Sequence, residues 1–377
     1  MMRKILAVIL AVSICSLSCA CMDYTGLNQM NIIIGVAIDK DVLTGEYILT
    51  YETVDITAIA KKETKSALIE SRGESIFDAA RNAKLKLINK LYFGNIESLI
   101  VSHQIAEEEN GLSKVTDLFL RGTEVRETIN IIISQEKTAA EILKAKPINT
   151  SFISTEAADI ISEDAETTAK SYNIQLYNAY NTTLAEGQEL VIPVISCTVN
   201  NEEPAVQTNG VAVFKDERLK GYLSPDETKY FLFVMDEIKG GLLVFKTKED
   251  VSVTMEVYRS STKRSYTYEN GRFKYTIEPK TKVFVTELSD RVNMINVAVK
   301  ERVIADAEEF LSNNISAVVR KAQTVFRSDI FGFGGMINKK EPKLWRTISK
   351  DWDDYFRKIE IEVKPKIEIM NTGFLKH

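Results

Sequence analysis

Three of the four cysteines in this 377-residue chain lie within its first 21 residues, and the fourth, Cys197, is alone in the remainder. The remainder therefore has no pair of thiols from which to build a disulfide framework. It has to fold by burying apolar side chains, which make up 45% of the sequence beside 27% charged residues, an ordinary balance for a globular protein. At about 150 residues per domain, this length predicts two or three domains.

The N-terminus has the layout of a secretory signal, with a basic start, an apolar middle and small residues at its end. Arg3 and Lys4 precede an apolar run over residues 5–14. That run is shorter than the about 20 apolar residues that a membrane-spanning helix needs. A signal that ends at a cysteine is similar to the lipobox of bacterial lipoproteins, in which the cysteine is acylated and the chain is cut before it.

Cys21 is the predicted acylation site, because it follows Ala20 and opens the polar sequence. Lipoboxes usually have Leu three residues before the cysteine, where this chain has Ser18, and Cys19 is the alternative site. An ordinary secretory signal cut near Ala20, or a signal that stays in the membrane, would explain the same pattern. We therefore expect a signal peptide over residues 1–20 and a lipid anchor on Cys21.

The charge balance argues against two kinds of electrostatic partner. Removing a signal that carries Arg3 and Lys4 leaves 46 basic against 53 acidic residues, a net charge of −7. Nucleic acids are bound through basic patches, and anionic membrane surfaces attract the same charges. Later apolar pieces, such as residues 129–133, have the length of strands and not of membrane spans.

Apolar periodicity in the first half of the chain alternates between strand and helix patterns. Ser75, with Asp78 three residues later, predicts the start of a helix, and residues 149–188 are polar and helix-prone. Strands are predicted at residues 32–38, 47–53, 96–102 and 128–134. This alternation predicts a mixed α/β region over residues 21–199, which could comprise two subdomains.

A polar segment, residues 200–208, is the predicted linker to a C-terminal domain over residues 209–377. Alternating strand patterns, beginning at residue 210 and including a Glu-Asn-Gly hairpin turn, predict a largely antiparallel sheet there. Apolar residues from Val299 to Val325 recur at helical spacing and predict one long helix. The predicted fold class is α+β and multi-domain, with a mixed α/β N-terminal part.

Residue types that carry chemistry are scarce. The chain has two histidines, His103 and His377, and no Cys–His cluster has the spacing of a zinc site. Glu107 to Glu109 are predicted to form a solvated face or loop. The glycine-rich residues 329–337 lack the G-x-G-x-x-G spacing and the lysine of a phosphate-binding loop. The sequence therefore predicts no catalytic, metal-binding or cofactor-binding residue, and no enzyme.

The C-terminal stretch DIFGFGGMINKKEPKLWRTISKDWDDYFRKIEIEVKPKIEIMNTG resembles the signature of the Ger(x)C family, the lipoprotein subunit of bacterial spore germinant receptors. In that family a long helix ends in a similar glycine-rich turn, which is followed by two tryptophans and a last strand that ends near a glycine. The matching positions here are Asp329, Gly332, Gly334, Trp345, Trp352, Phe356 and Gly373.

Other fragments resemble the same family at similar spacing: GVAIDKD (35–41), LRGTEVRET (120–128), AAEILKAKP (139–147) and GVAVFKDERLKGYLS (210–224). The chain departs from the family at Met22 and Gly26, where Trp and Glu are usual, and at Asn95, where His is frequent. The likeness covers nearly the whole chain after the signal, and the order of the fragments is more specific than any single one.

The resemblance implies a lipid-anchored, non-enzymatic receptor subunit on the outer face of the spore inner membrane, needed for nutrient-triggered germination. It also implies two integral membrane partners, the A and B subunits of the receptor. The alternative is a solute-binding lipoprotein of a transporter, which should have two similar parallel α/β lobes around a cleft. A third class, an extracytoplasmic hydrolase, has no candidate residues in this sequence.

Several residues of the signature also have a structural explanation. Trp345, Trp352 and Phe356 are seven and four residues apart, which predicts one helix face buried in the core. Gly332 and Gly334 are predicted to provide positive φ or close packing. Arg121 and Arg126 flank a loop in which Glu124 could pair with them, which predicts salt bridges and not an anion site.

Overall fold

The computed structural model describes residues 5, 29–55, 65–122, 124–290, 294 and 296–371. The predicted acylation site Cys21 and, apart from residue 5, the predicted signal peptide lie outside the described residues. Within them, the strands are β1 (Met30–Lys40), β2 (Tyr47–Val54), β3 (Ser66–Gly73), β4 (Lys90–Tyr92), β5 (Ser98–Ser102), β6 (Asn130–Ser134), β7 (Val191–Asn200), β8 (Glu203–Lys215), β9 (Arg218–Leu223), β10 (Leu242–Lys246), β11 (Ser252–Glu269), β12 (Arg272–Leu288), β13 (Glu360–Val363) and β14 (Lys366–Asn371). The helices are α1 (Ile76–Asn82), α2 (His103–Glu107), α3 (Gly111–Arg121), α4 (Ala139–Leu143), α5 (Ile153–Thr167), α6 (Leu176–Leu184), α7 (Pro225–Met235), α8 (Val297–Lys321), α9 (Phe333–Lys340), α10 (Pro342–Ile348) and α11 (Trp352–Lys358).

The first sheet has nine described strands in the order β3-β2-β1-β5-β6-β7-β8-β9, with β4 beside the start of β1. Strands β1, β5, β6 and β7 are parallel neighbours, whereas the strands at both edges are antiparallel. Strand β5 is buried along its whole length and β6 nearly so, as expected for parallel strands that are covered on both faces. The strands predicted at residues 32–38 and 47–53 pair as an antiparallel hairpin, and the predicted mixed α/β character of this region is confirmed.

Two buried carboxylates of the first sheet bind the N-termini of helices that begin about a hundred residues later in the chain. Asp39 accepts hydrogen bonds from the N–H groups of Ala139 and Ala140, at 2.6 and 3.0 Å. Glu52 accepts from the first two N–H groups of α5, both at 2.8 Å. The first N–H groups of a helix have no partner within it, so each carboxylate caps the N-terminus of its helix. Burial nevertheless raises the pKa of both carboxyls.

The second sheet pairs β10, β11 and β12 in antiparallel fashion, and β13 and β14 lie parallel to β12. The β11–β12 hairpin turns at Asn270 and Gly271, which both have positive φ, as its sequence predicts. Helix α8 spans 25 residues and packs on this sheet. The predicted C-terminal arrangement, a largely antiparallel sheet with one long helix, is confirmed. No helix in the described ranges is long and apolar enough to cross a membrane.

One predicted inward position of the long helix is wrong. Val325 is 64% exposed, and Phe326 is buried in its place. The cause is a π-helical turn over Ala322–Phe326, because an extra residue in the turn rotates the following side chains away from the expected stripe.

The predicted linker, residues 200–208, has regular structure. It comprises the end of β7, a turn at Asn201 and Glu202 with φ of +50° and +67°, and the start of β8. Positive φ at both central residues is typical of a two-residue hairpin. Strands β8 and β9 therefore pair with β7 at the edge of the first sheet, whereas their sequence was expected to open the C-terminal sheet. The exposed hairpin tip is polar, which is why its sequence resembles a linker.

Strand β8 is shared by the two cores of the molecule. Val211 and Val213 belong to the apolar cluster that the second sheet and α8 build. Ala212 and Phe214, which point to the opposite face of the strand, belong to the cluster of the first sheet. The two halves of the chain are thus packed against opposite sides of one strand.

Candidate functional site

The glycine-rich turn after the long helix brings the chain back onto its own core. The π-helical turn that continues α8 ends at Arg327, whose φ is +54°. Ser328 then ties the turn to the first sheet, because its hydroxyl donates to the carbonyl of Phe214 at 2.5 Å. Gly332 has φ of +68°, a conformation that residues with a Cβ rarely adopt. Glycine is thus required at this position by its backbone conformation.

Asp329 is the buried centre of this turn, with 4% of its surface exposed. Its carboxylate accepts hydrogen bonds from the N–H groups of Phe333 and Gly334 at 3.1 and 2.8 Å, and from Nε1 of Trp352 at 3.1 Å. Burial raises the pKa of Asp329 from 3.8 to about 6, although the bonds from Gly334, Phe333 and Trp352 favour the charged form. One carboxylate therefore fixes both the start of α9 and a tryptophan of α11.

The two tryptophans pack edge to face over the same turn. Their ring centroids are 5.4 Å apart, with the planes at 63°. A Cβ built on Gly334 would lie 2.8 Å from atoms of both Trp345 and Trp352, which leaves no space for a side chain. Nε1 of Trp345 donates to Oε2 of Glu186 at 2.6 Å. The predicted close packing at Gly334 is confirmed.

The core positions predicted for Trp345, Trp352 and Phe356 are confirmed, since their exposed fractions are 4%, 6% and 1%. The prediction that a single helix carries them is wrong. Trp345 lies on α10, and the other two lie on α11. A 3-10 turn, Ser349–Asp351, separates the helices and redirects the chain between them.

A cleft of about 700 Å³ opens beside the turn, where the first sheet meets the C-terminal helices. Its lining includes Asp329 and both tryptophans together with the segment that leads from α6 into β7. The walls are joined by backbone hydrogen bonds, from the Gly335 N–H to the Gly187 carbonyl at 2.8 Å and from the Glu189 N–H to the Asp329 carbonyl at 2.9 Å. The cleft is thus a seam between the two halves of the molecule.

Lys215 connects three elements across this seam. Its Nζ lies 2.8 Å from Glu189 Oε1 and 2.7 Å from Asp353 Oδ1. Burial would lower the pKa of Lys215, but the hydrogen bonds to Asp353 and Glu189 outweigh it and raise the pKa. Burial raises the pKa of Glu189, and Lys215 opposes that change. Lys215 is therefore paired with both Glu189 and Asp353.

Three of the acids that line the cleft accept hydrogen bonds from other residues. Glu186 is bound by Trp345, Glu189 by Lys215, and Asp329 by the start of α9. Among the described residues, no group of three or more His, Cys, Asp or Glu side chains could hold a metal ion. The contacts of Glu186, Glu189 and Lys215 join the two halves of the molecule across the seam.

Other residues singled out by the sequence have local structural roles. His103 begins α2, and its Nδ1 lies 3.1 Å from the carbonyl oxygen of Glu136. Glu108, in the acidic run at 107–109, forms an ion pair with Lys40 at 2.7 Å. Cys197 is half-buried, and burial raises the pKa of its thiol to about 11.

Arg121 and Arg126 both have partners in the structure, but these partners differ from the prediction. Arg121 pairs with Asp117 at 2.7 Å, one helical turn earlier. Arg126 donates to the carbonyl of Gly94 at 2.8 Å. Glu124, the predicted partner of both, pairs with Lys90 at 2.5 Å. The predicted pairing of Glu124 with either arginine is thus wrong, because Arg121 has a closer partner on its own helix and residues from distant parts of the chain pair with Arg126 and Glu124.

Sequence reasoning missed Glu186, Glu189 and Lys215. Their partners are 26 to 159 residues away along the chain, so no local sequence pattern predicts these contacts. The single available signal was the position of Lys215 within the family-like fragment at residues 210–224.

Two protein-family models match the chain in succession. The model described as "Spore germination protein N-terminal domain" matches residues 23–197. The model described as "Spore germination B3/ GerAC like, C-terminal" matches residues 209–373. Together they cover most of the chain.

Similar curated proteins come from Bacillus subtilis (strain 168). Spore germination protein B3 is 24% identical over 368 residues, which cover 94% of each chain. Spore germination protein KC is 26% identical over 404 residues, which cover 99% of this chain and 97% of that protein. The crystal structure of the GerBC protein is similar with a TM-score of 0.56 and 20% identity, over 89% of this chain and 97% of that one. The last likeness shows a shared fold.

Proposed function

Because the chain belongs to the spore germination B3/GerAC-like family, we propose that it is the lipid-anchored, non-enzymatic subunit of a spore germinant receptor. The observation that carries this proposal is the ordered match of both family models, over residues 23–197 and 209–373. Relatives that match over nearly their full length are spore germination proteins. The resemblance predicted from the C-terminal signature is thereby confirmed.

The non-enzymatic role is supported by the chemistry of the cleft. Three of its carboxylates, those of Glu186, Glu189 and Asp329, are held by an indole, a lysine and backbone N–H groups, and none of these three arrangements pairs a nucleophile with a free base, as covalent catalysis would need. A subunit that positions other proteins requires only a stable body of this kind.

We propose that its partners are the two integral membrane subunits, A and B, of the receptor, on the outer face of the spore inner membrane. The solute-binding alternative should have two similar parallel lobes. The described residues form one mixed sheet and one largely antiparallel sheet, which differ in strand order and direction. That dissimilarity favours the receptor subunit.

Loss of the chain should abolish one nutrient response. In a strain from which the other members of this family have been deleted, spores that retain this chain should germinate with the nutrient of its receptor. Spores that lack it should not, and a wild-type copy should restore the response. Germination can be followed by the fall in optical density. An unchanged response in spores without the chain would contradict the proposal.

Cys21→Ala should abolish lipid labelling and release the protein from the membrane fraction. The uncut apolar run at residues 5–14 is too short to replace the anchor by spanning the bilayer. Labelling with a radioactive or clickable fatty acid measures the first effect, and fractionation measures the second. Cys19→Ala is the matched control and should keep its label. A label that survives in Cys21→Ala and disappears in Cys19→Ala would move the anchor to Cys19.

A further inference from the structure

One short stretch of this acidic chain has a net positive charge. Residues 76–95 contain four cations and a single carboxylate, Asp78, whereas the chain as a whole has a net charge of −5. Within the stretch, Leu85 is 86% exposed and Ile88 is 95% exposed. Both lie in the segment KLKLINK, residues 84–90, which we call the basic turn. Amphipathic helices that lie on a membrane surface combine apolar side chains with lysines, and the basic turn exposes the same two residue types.

The positive charge of the basic turn is largely uncompensated. Lys84 donates to the carbonyl of Ile88 at 2.5 Å, and Lys86 donates to the carbonyl of Glu70 at 2.7 Å. Neither amine has a carboxylate partner within the described part of the chain. Lys90 pairs with Glu124, but its side chain is 62% exposed. Two full charges therefore stand beside two exposed apolar side chains.

The basic turn lies at the end of the sheet where the chain arrives from its N-terminus. It leads into β4, and Lys90 pairs in parallel with Met30, the first residue of β1. The side chain of Asn31 also donates to the carbonyl of Asn89, at 3.4 Å. Parallel strands enter a sheet from the same end, so the turn and the start of β1 are neighbours.

The length of the tether keeps this end of the molecule near the bilayer. Met30 follows Cys21 by nine positions in the chain, and a fully extended chain of that length reaches at most about 30 Å. A lipid on Cys21 therefore holds Met30, which pairs with the last residue of the basic turn, within about 30 Å of the membrane surface. The opposite end of β1, at Val42 and Leu43, is also exposed and apolar, but it is a whole strand length further away.

We propose that the basic turn is a second membrane contact. Leu85 and Ile88 enter the interfacial region of the bilayer, while Lys84 and Lys86 bind the phosphates of anionic phospholipids. This inference rests on the proposed lipid anchor at Cys21. The negative charge of the whole chain does not oppose it, because the potential of a membrane surface decays within about 10 Å and acts on local charges. The contact would fix the orientation of the receptor subunit on the membrane.

The test uses the lipidated chain, purified from membranes and reconstituted in vesicles of phosphatidylcholine mixed with phosphatidylglycerol. A fluorophore is placed at Ile88→Cys or, as matched control, at Leu43→Cys, which is 96% exposed at the far end of β1. Lipids with brominated acyl chains should quench the fluorophore at residue 88 and leave the one at residue 43 unchanged. Vesicles of phosphatidylcholine alone should give weaker quenching at residue 88.

Reversing the charge of the basic turn distinguishes docking, the contact of the turn with the bilayer, from tethering by the lipid on Cys21. Lys84→Glu with Lys86→Glu should reduce the ratio of docked to undocked protein at least about 25-fold, since each lysine near an anionic surface contributes about fivefold. Lys137→Glu with Lys144→Glu, the same charge change beside the far end of β1, should leave quenching unchanged. All four lysines are exposed, so melting curves should not move.

The outcomes distinguish the two proposals. If the lipid anchor is wrong, the purified chain carries no lipid, and no variant is recovered with the vesicles. If the anchor is right and the basic turn is not a membrane contact, every variant is recovered with the vesicles, and labels at residues 88 and 43 respond equally. The second result would overturn the inference and leave the proposed function intact.

Discussion

Trp345→Ala should lower the free energy of unfolding by about 3–5 kcal/mol, the usual cost of truncating a buried tryptophan. The ring is 4% exposed, packs against Trp352, and donates to Glu186 across the seam. A domain has only about 5–15 kcal/mol of stability, so germination should fail through loss of folded protein. Urea unfolding and thermal melting measure the effect. Lost germination with an unchanged melting curve would instead identify this face as a docking site for the partner subunits.

Two adjacent glycines provide a matched control for the same packing. Gly334→Ala puts a Cβ 2.8 Å from both tryptophans, whereas the Cβ of Gly335→Ala meets its nearest neighbour, the Glu186 carbonyl oxygen, at 3.5 Å, an ordinary contact. Overpacking of a filled core typically costs about 1–3 kcal/mol. We therefore expect Gly334→Ala to destabilise the protein and Gly335→Ala to leave it close to wild type. Gly334→Val should destabilise the protein more than either alanine substitution.

Asp329 should make the stability of the protein depend on pH. Its pKa is about 6 in the folded state and 3.8 ordinarily, so the folded chain binds the proton more tightly than the unfolded chain. Protonation of Asp329 therefore stabilises the folded chain. This stabilisation is fully present below pH 3.8 and is lost as the pH rises through 6. Its full size is about 3 kcal/mol at about 1.4 kcal/mol per pKa unit. About half of it should be regained on going from pH 8 to pH 5.

The measurement is the difference in unfolding free energy between the wild type and Asp329→Asn at several pH values. Asparagine does not titrate, so this difference isolates Asp329 from the many other carboxylates of the chain. The wild type should gain stability relative to the variant as the pH falls. A difference that stays constant from pH 8 to pH 5 would mean that the carboxyl keeps an ordinary pKa despite its burial.

Local patterns in the sequence were sufficient for the elements that local physics determines. The β1–β2 hairpin, the turn at Asn270 and Gly271 and the long helix all follow from apolar periodicity and turn chemistry. The tryptophan spacing indicated a shared buried face, but it could not reveal that a 3-10 turn divides α10 from α11. Spacing constrains which side chains meet, and not the path between them.

The features that the sequence did not reveal depend on partners far along the chain. Asp39 and Glu52 look like ordinary strand acids, and their role as helix caps appears only when α4 and α5 are placed beside them. The segment 200–208 is similar: its polarity fits a linker and a hairpin tip equally well. Only the pairing of β8 with β7 decides between them, and strand pairing is set by the whole sheet.

The position of β8 between two cores has a mechanical consequence. A hinge needs a segment whose bending exposes little apolar surface, and bending at β8 would open the packing around Phe214 on one side and around Val213 on the other. The two halves should therefore move together as a rigid block. A nutrient signal that passes through this subunit would tilt or shift the entire body on its tether. By the same reasoning, a chimaera of two relatives joined within residues 200–208 would have to match two cores at once, and a junction after β9 would keep that strand with its own sheet.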